Sequence, residues 1–442
     1  MAPRVRFLAR RMGEISMRSV LLCGWLVVVV AFGALVDVVP AKSAVAPSPD
    51  TLIAIALRRA PSLAALRARV QAARERVRPA GALPDPTLEL MLQDVGFPRW
   101  TVGEEDMSMI GPQLSQGIPF PGKRGARRRV AEAEVVVQEH ELEHLRRRVA
   151  QDLRTGYARL YALDRERRSL VAGRELMSLL AETVRARYSS GSADAEAALK
   201  ARLVVARLEE RLDDLVMERA GVAAGIEALI DDKSSMVQDE VVSLPEVSVP
   251  PLPWAPVIAE GSVEVVVQRA QIEVAERRLR AAGIERWPDL MAGAGVGLRG
   301  DRDPVVTLKL GLDLPLWGGS KQGPLVRAAA QEVVAARASL RQAEAASRAE
   351  AARLEAQWLR SAQQIARYSD TLVPQSSLTF DAARANYLAG RGDFAAVIDD
   401  LDLWLAARSG LAAREAERYT TWAALQTVLG PHEPATEGSE AR

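Results

Sequence analysis

The sequence predicts a mixed α+β membrane protein in which one structural unit is used twice. Three observations carry that prediction: an internal duplication, long uninterrupted helix-forming stretches, and four short alternating segments. Ile118-Pro119-Phe120-Pro121-Gly122-Lys123 closes one alternating segment and opens a helical one, and Leu314-Pro315-Leu316-Trp317-Gly318-Gly319 does the same some two hundred residues later. Upstream, Pro84-Asp85 is echoed by Pro288-Asp289. Downstream, Tyr188-Ser189-Ser190-Gly191 is echoed by Tyr387-Leu388-Ala389-Gly390. Three pairs in the same order define a unit of helix, two strands, long helix and returning helix. Its period is far beyond the roughly 20–50 residues of solenoid repeats, so it reads as a duplicated half of one architecture.

The helices are predicted from what is missing as much as from what recurs. Pro121 and Pro245 bracket 123 residues without proline in a chain that has 24. Within Lys123 to Arg187, Leu142, Leu145, Val149, Leu153, Tyr157, Leu160 and Leu163 recur every three or four positions, the signature of an amphipathic helix in a packed seam. Such a helix reaches about 100 Å at 1.5 Å per residue. Gly125, Gly156 and Gly173 weaken it locally without stopping it. Ser189-Ser190-Gly191-Ser192 is the predicted stop, followed by a returning helix from Ala193 to Asp231. The plan recurs from Gly323 to Asn386, with a kink expected at Pro374, and then from Asp393 to Leu429.

The strands alternate with period two. Val306, Leu308, Leu310, Leu312 and Leu314 fall on one face, and Thr307, Lys309, Gly311 and Asp313 on the other. Leu88, Leu90 and Leu92 alternate with Thr87, Glu89, Met91 and Gln93; Ile110, Pro112 and Leu114 with Gly111, Gln113 and Ser115; Ala292, Ala294, Val296 and Leu298 with Gly293, Gly295 and Gly297. The pattern fits a half-buried strand in any antiparallel sheet. It also fits a membrane strand of about 9–11 residues with lipid outside and water inside, and no obvious apolar helix covers the leucine face. Four strands cannot close a barrel, and open edges are not tolerated in lipid. Several chains must therefore share one barrel.

The ends and the charge balance set the context. Val20 to Val36 is apolar, follows Arg10, Arg11 and Arg18, and precedes Ala41, Ser43, Ala44 and Ala46. That is a signal-peptide pattern, with an uncleaved inner-membrane anchor as the competing reading. The only cysteine, Cys23, lies inside this run, so the remainder offers neither a disulfide nor a thiolate ligand. Without residues 1–46, six of 58 basic and two of 57 acidic residues are lost, leaving 52 against 55 and a net charge of −3. Nothing in that balance asks for nucleic acid. The expected organisation is a signal peptide over 1–46, a first unit over 47–243, a proline-rich linker over 244–261, a second unit over 262–430 and a disordered tail over 431–442.

Ala82-Leu83-Pro84-Asp85-Pro86 and Ser115-Gln116-Gly117-Ile118-Pro119-Phe120-Pro121-Gly122-Lys123-Arg124 give the chain a family likeness. Over residues 50–430 it resembles the TolC family of outer-membrane efflux channels, most closely the heavy-metal efflux branch. The resemblance implies a homotrimer whose chains each give four strands to a twelve-stranded β-barrel, continued by a long α-helical periplasmic barrel. It implies as partners a periplasmic adaptor protein, an inner-membrane pump and outer-membrane lipid, with no enzyme site, cofactor or bound metal. Pro119, Pro121, Gly122, Pro315 and Gly318 are then the strand-to-helix junctions. Tyr188, Gly191, Tyr387 and Gly390 belong to adaptor-contacting turns at the periplasmic tip. Relatives often carry two acidic residues at the tunnel entrance; Asp399 falls on the second position and Ala396 on the first. Arg391 and Gly392 stand where a basic residue is expected. Asp393, Asp400 and Asp402 are the substitute acids, Asp393 foremost by proximity. The resemblance implies that the exported species is a heavy-metal cation or another toxic compound. The alternative is an adaptor or coiled-coil scaffold on an uncleaved anchor, but an adaptor needs one helical hairpin and this chain has two.

One motif points elsewhere. His140-Glu141-Leu142-Glu143-His144 matches the zinc-protease helix pattern, yet the only other histidine is His432, Glu166 is about 33 Å further along the same helix at 1.5 Å per residue, and Arg146, Arg147 and Arg148 repel a cation. A solvated helix face is the better account. Met91, Met107 and Met109 near the first strand pair could suit a soft cation, but packing explains them as well.

Overall fold

The computed structural model describes residues 46–192, 194–231 and 238–429. The segment read as a signal peptide lies outside these residues but for Ala46, and the tail 431–442 lies outside them entirely. The first unit runs α1 (Pro49–Arg59), α2 (Pro61–Ala80), β1 (Thr87–Gln93), β2 (Met109–Ile118), α3 (Lys123–Ser189) and α4 (Ala195–Ile230). The second runs α5 (Ala255–Gly261), α6 (Val263–Ile284), β3 (Asp289–Arg299), β4 (Arg302–Asp313), α7 (Gln322–Arg367), a π-type turn (Tyr368–Leu372), α8 (Val373–Leu388) and α9 (Phe394–Leu429). The order is the same in both, and the repeat extends one element further upstream than the sequence suggests. The last residues of the expected linker form α5, the counterpart of α1.

Local chemistry accounts for the element ends. Ser48 accepts from the Thr51 N–H at 3.3 Å and caps α1; Ser262 caps α6 in the same way through Val265. Helix α3 has 67 residues, about 100 Å at 1.5 Å per residue. Its interior glycines are places of close approach. A Cβ on Gly156 would stand 2.9 Å from Ile226 of α4, and one on Gly173 would stand 3.3 Å from Leu405 of α9. Pro374 sits just past the π-type turn. It lacks an N–H and its ring crowds the carbonyl four residues back, so the ladder widens at Tyr368–Leu372, and the Tyr368 ring packs over Gly410 of α9.

Among the described residues, four strands form one antiparallel sheet in the order β1-β2-β3-β4. The register aligns faces across it: Leu88 opposite Leu114, Leu114 opposite Ala294, and Ala294 opposite Leu308. On the other face Glu89 lies opposite Gln113, Gln113 opposite Gly295, and Gly295 opposite Thr307. Leu308, Leu310 and Leu312 are exposed, as are Leu88 and Leu90. Gly300, at φ +63, opens the two-residue turn between β3 and β4, where a left-handed residue suits the strand twist. Exposed aromatics flank the sheet at both ends, Phe97 and Trp100 at one, Trp287 and Trp317 at the other. This is the girdle arrangement of membrane barrels.

Beyond the sheet, α3 is the axis. It packs against α2 and α6 near the strands and against α4 and α9 further down. One core joins α1 and α2 to the middle of α3 and the ends of α4 and α9, with Leu52, Leu63, Leu153, Leu160, Ile226 and Tyr419 at its centre. A second fills the lower bundle around Met177, Leu180, Leu208, Leu401 and Trp404. A third closes α5 onto α7 and α9 through Trp254, Leu354, Trp358 and Leu425. Among the described residues no helix is long and apolar enough to cross a membrane.

Candidate functional site

The lower ends of the two helical hairpins close with one backbone motif. Gly191 and Gly390 are both left-handed, at φ +75 and +74. Gly191 N–H donates to the Tyr188 carbonyl at 3.0 Å and Ser192 N–H to the Arg187 carbonyl at 2.8 Å; Gly390 and Arg391 repeat this with Tyr387 and Asn386, each at 3.0 Å. These paired bonds satisfy the last carbonyls of α3 and α8. Arg187 joins the turns, its guanidinium donating to the Tyr387 carbonyl at 3.0 Å and to that of Leu388. The two tyrosines then part company. Tyr387 is 8% exposed and packs on Phe394 at 5.2 Å between ring centres, whereas Tyr188 is 51% exposed.

The acids sit just past the second turn. Asp393 caps α9, its Oδ1 accepting from Ala395 N–H at 3.2 Å. Asp399 is exposed and Asp400, rotated about 100° around the helix, is half-buried. Lys200 of α4 links these groups electrostatically. A 2.7 Å bond to Glu196 raises its ammonium above the usual lysine range, and Asp393 and Asp399 push the same way. Burial raises the Tyr387 hydroxyl; Arg187 opposes this, and Asp194 and Asp393 add to it.

At the opposite end the first junction is an ionic knot. Gly122 takes φ +100 and hands the chain from β2 into α3. Lys123, 3% exposed, places its ammonium 2.8 Å from Asp289 and 3.5 Å from Glu285, and Arg127 binds Glu285 at 2.7 Å. Asp289 also accepts from Phe120 N–H at 2.7 Å, and Phe120 stacks on Trp287 with centres 5.2 Å apart. Pro119 is buried and Pro121 exposed. The second junction, with Pro315 and Gly318, is a looser turn in which Gly323 N–H donates to the Gly318 carbonyl at 2.7 Å.

The structure thus brings the two tip turns together and sets Asp393 and Asp399 near one lysine, while Asp400 points elsewhere and the junction prolines lie at the far end of α3. Glu143 pairs with Arg147 at 3.0 Å and Glu166 with Arg211 at 2.8 Å, so each of these carboxylates is engaged with an arginine, while His432 lies outside the described residues. Sequence reasoning missed Arg187, Lys200 and the Lys123–Asp289 pair. The last had a signal, since both residues stand inside the repeated segments. Arg187 and Lys200 had none beyond being two bases among many.

The comparisons with known proteins bear on the fold and the family. The family described as outer membrane efflux protein matches residues 52–228 and 256–431, two blocks that fall on the two units. The solved outer membrane protein VceC of Vibrio cholerae is 18% identical, with a TM-score of 0.72 over 86% of this chain and 96% of that one. CusC, solved in a study of folding and transmembrane channel formation, is 16% identical, with a TM-score of 0.75 over 87% and 92%. A membrane protein of Pseudomonas aeruginosa gives 14% and 0.76 over 88% and 92%. None of the curated proteins matches the sequence. Channels of this family lie in the outer membrane as homotrimers, each chain giving four strands to the barrel, and dock with a periplasmic adaptor and an inner-membrane pump. The chain belongs to the outer membrane efflux protein family, as the passive channel of a tripartite efflux system.

Proposed function

We propose that this channel is the exit duct for heavy-metal cations and that they enter between the paired tips, past Asp399. The observation that supports the reading is an exposed acid, Asp399, near the start of α9 just past the second tip turn, where the resemblance expects an entrance acid. In a trimer each such acid occurs three times around one axis, and a narrow low-dielectric passage concentrates their potential. Asp399 is the principal entrance acid. Asp393 contributes charge while capping α9, and Asp400 contributes less because it is half-buried. Tyr188 and Gly191, with Gly390 of the second turn, form the adaptor-facing surface, and Tyr387 holds that surface from beneath. The junction-region likeness to the heavy-metal branch supports the cargo class.

Two measurements test this reading. In planar bilayers, Asp399→Ala is expected to reduce cation-over-anion permeability roughly twofold or more and to weaken block by multivalent cations, with the trimer intact. Asp393→Ser removes the other charge while keeping a good cap. Unchanged conductance, selectivity and block in both variants would contradict the entrance assignment. Deleting the gene should lower tolerance to one or more of copper, silver, zinc and cobalt; lost tolerance to organic toxicants alone would contradict the cargo.

A further inference from the structure

Next to the sheet, four helices form an arc, each packing on the next in the order α2, α3, α6 and α7. A cavity of about 800 Å³ is lined by residues of all four, so it opens on the concave side of that arc. In the trimeric channel described above, the concave side faces the tunnel. Every one of the four helices contributes an alanine to the lining, and these short side chains make the room. The polar lining includes Arg69 and Arg76 of α2, Glu134 of α3, Gln271 and Arg278 of α6, and Glu332 of α7. Arg278 is already occupied, its guanidinium 2.6 Å from Glu134. Arg69 and Arg76 are exposed and have no acid within ion-pair distance among the described residues. Two arginines are thus left in the cavity against the single carboxylate of Glu332.

The two arginines share one face of α2. They stand seven residues apart, two turns or about 10 Å along the helix. Arg74, about 200° around the helix from Arg76, instead pairs with Glu139 of α3 at 2.5 Å. The Gly81 carbonyl fixes their height, since it accepts from Arg124 at 2.8 Å where α3 leaves the sheet. Arg76 is five and Arg69 twelve positions before Gly81, so the pair lies within about 20 Å of the barrel, at the opposite end of α3 from the tips. Two per chain make six around the axis of a trimer. A planar guanidinium offers an oxyanion two parallel N–H donors, and a confined wall of low dielectric strengthens the attraction. We propose that this cavity is an oxyanion-binding site in the tunnel wall, held by Arg69 and Arg76, whose ligand class is multivalent phosphates and carboxylates. Gln271 adds a neutral amide donor to the same lining. The site is separate from the entrance and does not depend on Asp399.

Single-channel recording of the full-length trimer in planar bilayers tests the site, with inorganic phosphate and citrate as probes. In potassium chloride, either added anion is expected to lower the wild-type current in a saturable way. Arg69→Gln combined with Arg76→Gln should weaken that block about tenfold, as expected when charged hydrogen bonds are lost, and each single variant should weaken it less. Permeability of cation over anion should rise with it, roughly twofold. Arg74→Gln, on the opposite face of α2, should behave as the wild type. The two single variants carry the measurement if the double variant does not assemble. Three results would overturn the site: no saturable block of the wild type by either probe, the same block in the wild type and the arginine variants, or an equal loss in Arg74→Gln. Failure of the double and both single variants to form trimers, beside an intact Arg74→Gln trimer, would place these arginines in the subunit seam and overturn it as well.

Discussion

Lys123 shows how a single side chain can hold two units together. Its ammonium is almost fully withdrawn from water and lies between Asp289 and Glu285, which belong to the second unit. Burying a charge is unfavourable unless a partner is close, and removing one partner leaves the other uncompensated. Lys123→Ala is therefore expected to destabilise the channel by about 2–4 kcal/mol, between the limits for exposed and buried pairs. The loss would appear as a lowered melting temperature of the detergent-extracted protein. Lys321→Ala, exposed at the second junction, should stay within about 0.5 kcal/mol, and equal losses from both would contradict a special role for Lys123. At this scale the sequence was a partial guide. The Pro-Phe-Pro-Gly-Lys segment announced a junction through residue types that set backbone dihedrals. The partner of its lysine lies 166 positions away, and no local pattern encodes so distant a pairing. The same holds for Arg187, which reaches carbonyls some two hundred positions on.

Elements were more legible because each follows a short period. The strands alternate every second residue and the structure keeps that alternation, with the leucines of β1 and β4 on one exposed face. Leu310→Arg should impair insertion, since an arginine facing lipid costs about 2–4 kcal/mol at mid-bilayer. Thr307→Arg should assemble normally, because on this assignment of faces it would meet the water of the lumen. The trimer yield in outer-membrane fractions reads out both, and equal damage would mean that the faces are misassigned. Helix α3 was legible from the absence of proline and the regular recurrence of leucine. The π-type turn was foreseen only as a kink at Pro374; its form depends on Gly410 of α9 leaving room for the Tyr368 ring, which is a tertiary fact. Helix α5 was hidden among the prolines of the linker. With seven residues it is too short for periodicity to register, and burial of Trp254 and Ile258 against α7 and α9 holds it instead.

At the scale of the whole molecule, the duplication makes one chain a third of a channel. Two units give four strands, two helical hairpins and two matching tips. A monomer would leave the leucines of β1 and β4 facing water with two open strand edges, a combination that favours association. The duplication, the strand count and the open edges together imply a shared barrel, whereas the number of chains came from family resemblance rather than from any residue pattern. The most direct measurement is therefore the mass and conductance of the particle extracted in detergent from outer-membrane fractions. The account predicts three chains per particle and a discrete ion-conducting pore in planar bilayers; a stable, water-soluble monomer, or a detergent monomer without conductance, would contradict it.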